Sequence, residues 1–187
     1  MEAQTGRVER WLSAAPPAVF GLYAIVASFT TYFCMYAIRK PFSAGTFEGL
    51  VAVPFVGDVK YKIVLVISQL LGYTLSKFLG IKIVSEMSPA GRAGALLAML
   101  LGAHGALLLF ALLPTPYNAV ALFLNGVPLG MVWGLVFSFL EGRRTTEALA
   151  AGLSASYVLA DGAVKSIGRW VIDQGISERW MPFTTGL

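Results

Sequence analysis

Between Arg92 and Glu141 the chain runs for 48 residues, Ala93 to Leu140, without an Asp, Glu, Lys or Arg. A membrane helix needs ~20 mostly apolar residues at about 1.5 Å each to cross a hydrocarbon core of roughly 30 Å. The stretch is therefore long enough for two crossings. Leu113-Pro114-Thr115-Pro116 divides it, because two prolines two positions apart do not fit inside one regular helix. The pattern predicts a tight hairpin of spans over 93–113 and 117–140. Barrel strands would alternate polar and apolar residues, whereas Ala106 to Leu113 is apolar on every side.

The rest of the chain repeats the theme. Trp11 to Ile38 carries no charge over 28 residues. It predicts a span at 17–38, retained because it far exceeds the roughly 7–15 apolar residues of a cleavable signal. Residues 61–84 are apolar apart from Lys62, Lys77 and Lys82, and residues 148–172 run apolar to Ala160 before meeting Asp161, Lys165 and Arg169. Composition agrees: 57% of residues are hydrophobic, 13% are charged and the mean hydropathy is +0.72, which leaves too little polar surface for a soluble domain. The expectation is an all-α membrane protein with five transmembrane helices and the start of a sixth near Trp180-Met181-Pro182-Phe183. Residues 1–16 form a tail, 17–172 the bundle, and 173–187 a loop and the beginning of that sixth span.

The net charge of +4 comes from scattered basic residues that flank apolar runs. They read as topology signals rather than a nucleic-acid surface. With the N-terminus inside, Arg7, Arg10, Lys82, Arg92, Arg143 and Arg144 are inner, and Arg39, Lys40, Lys60, Lys62 and Arg179 are outer. If Arg39 and Lys40 have another role, the inner excess favours a cytoplasmic N-terminus.

On a helix, Ser28, Tyr32, Tyr36 and Arg39 share one face. That face ends in a guanidinium, whose fork of donors matches phosphate or carboxylate oxygens in pairs. Two readings stand. A helix spanning 17–38 puts Arg39 at the surface, with Arg39 and Lys40 snorkelling to the interface. A helix entering near Ile25 and passing Pro41 with a kink puts Arg39 near mid-depth. Lys77 poses the same choice. Asp161, Lys165 and Arg169 fall at i, i+4 and i+8 as one stripe. The stripe is a structural ion pair, a coupling element, or the start of an interfacial helix. Gly126, Gly130 and Gly134 recur every fourth residue, a face for close helix approach. His104, beside Gly102 and Gly105, reads as a hydrogen-bonded packing histidine, with a proton relay as the alternative.

One His and one Cys (Cys34) build no metal site, and neither a phosphate-binding Gly-rich loop nor HExxH or GxSxG occurs. No cofactor, no metal and no enzymatic activity are expected.

The string Tyr36-Ala37-Ile38-Arg39-Lys40-Pro41-Phe42 resembles the end of helix one in organophosphate:phosphate antiporters, the glycerol-3-phosphate and hexose-phosphate carriers. Gly72-Tyr73-Thr74-Leu75-Ser76-Lys77-Phe78 resembles the end of their helix two. With the five spans and a short charged loop after the second, the chain resembles the N-terminal half of a major facilitator superfamily transporter.

The resemblance implies that Arg39 binds a small anionic, phosphorylated solute near the midplane, with Tyr32 and Tyr36 beside it, and that Lys77 makes the cavity basic. It implies a gating loop carrying Glu86 and Arg92. It implies a missing C-terminal half as partner, alternating access as mechanism, and a bacterial inner membrane as location. The chain departs from those carriers in its fifth span, which has Asp161 and Lys165 but no histidine. It departs also after Gly130-Met131-Val132-Trp133, where their arginine is absent. That points to a divergent branch. The rival functions are a membrane-embedded lipid-headgroup enzyme and a non-catalytic scaffold.

Overall fold

The computed structural model describes Trp11 and residues 14–138 and 146–187. Arg7, Arg10, Arg143 and Arg144, on which the orientation count leans, lie outside the described residues, as does most of the expected tail.

Helix α1 spans Pro17–Arg39, α2 Tyr61–Glu86, α3 Pro89–Leu112, α4 Asn118–Ser138, α5 Thr146–Asp173 and a short α6 Met181–Thr185. Each expected span is helical over its described residues, and the boundaries move by a few residues. Helix α3 starts four residues before the expected 93, because Pro89, lacking an N–H, suits a first turn where that donor has no acceptor. Pro114 and Pro116 separate α3 from α4 as expected.

Four of these helices are long and apolar enough to cross a bilayer: 18–39, 61–86, 91–112 and 118–138. The chain is an integral membrane protein. Helix α5 is not in that set, since Asp161, Lys165, Arg169 and Asp173 crowd its second half.

Helix α4 is the centre of the bundle. It packs along α2 and α3, while α1 lies mainly against α5. Gly126 and Gly130 make the α2–α4 approach possible. A Cβ on Gly126 would collide with the Gln69 carbonyl and stand 2.8 Å from the Tyr73 nitrogen, and one on Gly130 would stand 2.5 Å from the Tyr73 oxygen. Gly134 does not share this role, because its nearest neighbour, Val84 Cγ1, is 4.0 Å away. The helices diverge there. Gly72 and Gly80 reciprocate from α2, against the Phe123 carbonyl and the Met131 side chain. The opposite faces carry exposed Leu, Ile and Val on α2, α3 and α5, as hydrocarbon contact requires.

The bundle is helical as expected, and one short element lies outside it. The connection between α1 and α2 holds an antiparallel hairpin, β1 (Leu50–Val53) with β2 (Gly57–Lys60), paired Leu50 to Lys60 through Val53 to Gly57. The turn takes positive φ at Phe55 (68°) and Gly57 (93°). The four-residue alternating strands are too short to show beside the long apolar runs.

Candidate functional site

Helix α1 stops where Pro41 requires. Proline offers no N–H to the carbonyl four residues back, while Lys40 itself keeps helical geometry and donates its N–H to the Tyr36 carbonyl. The chain continues as a 3-10 turn over Pro41–Ala44, with the Ser43 N–H and hydroxyl both donating to the Lys40 carbonyl. Thr46 then reaches the level of the end of α3, because Glu178 binds Thr46 while Arg179 binds the carbonyls of Leu112 and Leu113. Arg39 therefore sits well inside the bundle. Its guanidinium lies 3.8 Å from the ring centre of Tyr73, which is halfway along α2. The helix covers the expected 17–38 and does not run on through Pro41, yet its end lies beside the middle of α2.

A helix that ends inside a bundle leaves carbonyls without partners. Two side chains supply the donors. Gln69 donates from Nε2 to the Arg39 carbonyl at 2.9 Å and to Asn125 Oδ1 at 2.8 Å. Asn125 donates from Nδ2 to the Ala103 carbonyl at 2.9 Å and to the Ile38 carbonyl at 3.4 Å. Both amides are buried. This network joins α1, α2, α3 and α4 at one point. Reading for charges alone missed it; the signal was two amide side chains inside otherwise apolar spans.

The Arg39 guanidinium also stands 5.9 Å from the Tyr36 ring, and Tyr36 lies 5.5 Å from Tyr32. Ser28, Tyr32 and Tyr36 are all buried, so the expected face exists. The Arg39 Nε is enclosed without a hydrogen-bond partner, and among the described residues no carboxylate pairs with Arg39. Lys77 places its ammonium 5.0 Å from the same Tyr73 ring. The side chain is exposed and leans back one turn along α2, as helical side-chain tilt favours. The two cations share one ring. Lys77 lines a recess of about 470 Å³, and Arg39 does not.

Asp161 joins α5 to the break in α1. Its Oδ1 is 3.4 Å from Lys40 Nζ and its Oδ2 2.5 Å from Lys165 Nζ. Arg169 does not belong to this group, because it pairs with Asp173 at 3.5 Å. The stripe expected from spacing splits in two, since each acid takes the nearest base one turn along. Lys40 was missed because its partner lies on a helix distant in sequence.

Glu86 and Arg92 form no ion pair among the described residues. Arg92 turns instead to the carbonyl of Ser138 at the end of α4, at 3.4 Å. His104 stacks on Phe183 at 4.5 Å, with both ring nitrogens enclosed and unpartnered. The expected hydrogen bond is absent among the described residues. Among the described residues no three His, Cys, Asp or Glu side chains gather as metal ligands.

Residues 41–187 match the model of a family described as Family of unknown function (DUF5690). The chain belongs to that family. The DUF5690 match starts at the proline that breaks α1 and takes in Gln69, Tyr73, Lys77, Arg92, Asn125 and Asp161; Tyr32, Tyr36, Arg39 and Lys40 precede it. No curated protein and no solved structure matches the chain.

Proposed function

We propose that this chain is one helical bundle of a secondary transporter that moves a small anionic, phosphorylated solute by alternating access. The observation that carries the reading is the Arg39 guanidinium. It is held halfway along α2 on the Tyr73 ring, with donors to spare and no carboxylate partner among the described residues. A half-buried guanidinium within a membrane bundle favours a counter-charge, and an entering oxyanion supplies one. Lys77 adds positive potential across the same ring. Discontinuous helices whose ends meet inside the bundle are a recurrent way to build transporter sites, and the end of α1 at Arg39 is of that kind.

Alternating access requires a second bundle that rocks against this one. The Asp161 carboxylate, shared between Lys40 and Lys165, is suited to exchanging partners during that motion. The reading has five spans with the N-terminus cytoplasmic, in a bacterial inner membrane. Three of the five outer cations support this orientation by having structural partners: Lys40 on Asp161, Lys62 on the carbonyls of Ser43 and Gly45, and Arg179 on the end of α3.

The test is uptake of inorganic phosphate and simple phosphate monoesters by cells expressing the full-length protein. Arg39→Ala abolishes uptake and Arg39→Lys leaves a small residue of it, because a point charge replaces a bidentate fork. Unchanged uptake in both variants overturns the anion-binding role.

A further inference from the structure

The recess that Lys77 lines has a chemistry of its own. It encloses about 470 Å³ between α2 and the C-terminal half of α4, and it reaches Arg92 in the first turn of α3. Its charged side chains are both basic, Lys77 and Arg92. Arg92 carries five N–H donors. Among the described residues its one hydrogen-bond contact, to the Ser138 carbonyl at 3.4 Å, is long, and its Nε is enclosed without a partner. The site thus has unused donors and net positive charge. The hydroxyl-bearing Ser85 stands in the same wall.

The remaining walls are apolar: Ile81 and Val84 on α2, Met131 and Trp133 on α4. Ile81 and Trp133 are also exposed, at 74% and 41%, so the recess opens sideways onto the apolar flank of the bundle. In an integral membrane protein that flank meets hydrocarbon. An acyl chain reaches the recess by that route. Arg92, at the end of its helix, stands where headgroups begin.

We propose that this recess holds an acidic phospholipid, with its phosphate on Arg92 and one acyl chain along Ile81, Val84, Met131 and Trp133. The inference rests on the membrane location and not on the transport reading. Gly134 explains the room available, because a Cβ there would meet only Val84 Cγ1, at 4.0 Å.

Native mass spectrometry of the purified full chain tests it, after exchange into micelles doped with phosphatidylglycerol or with phosphatidylcholine of the same acyl chains. One phosphatidylglycerol is retained per chain, and phosphatidylcholine is not. Arg92→Gln lowers the occupancy about tenfold, the scale of a lost charge-assisted hydrogen bond. Gly134→Leu, which fills the recess and leaves both cations in place, lowers it similarly and keeps the test decisive should Arg92→Gln fail to fold. Added inorganic phosphate leaves the bound lipid in place. Equal retention of phosphatidylcholine, full occupancy in Gly134→Leu, or displacement by inorganic phosphate each overturns the proposal, the last by showing a site for a soluble anion.

Discussion

The side-chain amide of Gln69 donates to the main-chain carbonyl of Arg39 at 2.9 Å, closing from α2 the helix that Pro41 cuts short. The same amide donates to Asn125, which reaches the Ile38 carbonyl and Ala103. The break in α1 and the two amides are one device. A proline break inside a bilayer exposes carbonyls that water does not reach, and only a neighbouring side chain satisfies them.

Removing those donors therefore destabilises the bundle. Gln69→Leu costs about 1–3 kcal/mol, the penalty of a buried acceptor left without a donor, and Asn125→Leu costs more because two carbonyls lose their partner. The two residues are bonded to each other, so the double variant loses less than the sum. Unfolding in mixed micelles under denaturing detergent measures all three.

The glycine face is graded. Gly126→Ala and Gly130→Ala push α4 off α2 and each cost about 1–3 kcal/mol by overpacking, because their Cβ atoms meet backbone atoms that cannot step aside. Gly134→Ala is neutral or slightly stabilising in the same assay, since its Cβ falls in open space and alanine is the better helix former.

Asp161 bridges Lys165 on its own helix and Lys40 at the break after α1. Asp161→Asn leaves both ammonium groups facing a neutral amide and costs about 1 kcal/mol or more, a figure kept small by the partial exposure of all three side chains. Lys165→Gln costs less, because Lys40 still answers the carboxylate. A larger loss in Lys165→Gln than in Asp161→Asn would show that Lys40 does not share the carboxylate.

Glu178 outside the spans makes stability pH-dependent. Burial pushes its carboxyl up, but the Thr46 and Phe47 N–H groups, the Thr46 hydroxyl and the Lys62 charge outweigh it, and the group titrates below its ordinary value. A depressed folded value means that the stabilisation is fully present above about pH 4.3, the ordinary glutamate value, and is lost as pH falls through the lower folded one. Phe47, held buried at a φ of 47° that costs a non-glycine residue energy, is the reporter. Its amide, corrected for intrinsic exchange, is protected at neutral pH and loses protection on acidification. In Glu178→Gln the protection is weak at both.

The spans were legible because bilayer crossing imposes a length and an apolarity that one-dimensional counting detects. The stripe from Ser28 to Tyr36 was legible because helical periodicity alone puts it on one face. The hairpin over 50–60 was hidden because two four-residue strands leave little periodic signal. Gln69, Asn125 and Lys40 were hidden for another reason: each is defined by a partner 30 or more residues away along the chain. The same holds for the division of the stripe between Asp161 and Asp173.

The sequence by itself determined that this chain lives in a membrane and, to within a few residues, where its long helices lie. Those properties are local, set by hydrophobic transfer and by backbone chemistry within a few residues. Only the tertiary structure decided that the end of α1 falls inside the bundle, and that Arg39 meets Tyr73 there. It alone placed the orphaned carbonyls on Gln69 and Asn125. Depth is a relation between helices, and no property of one helix contains it.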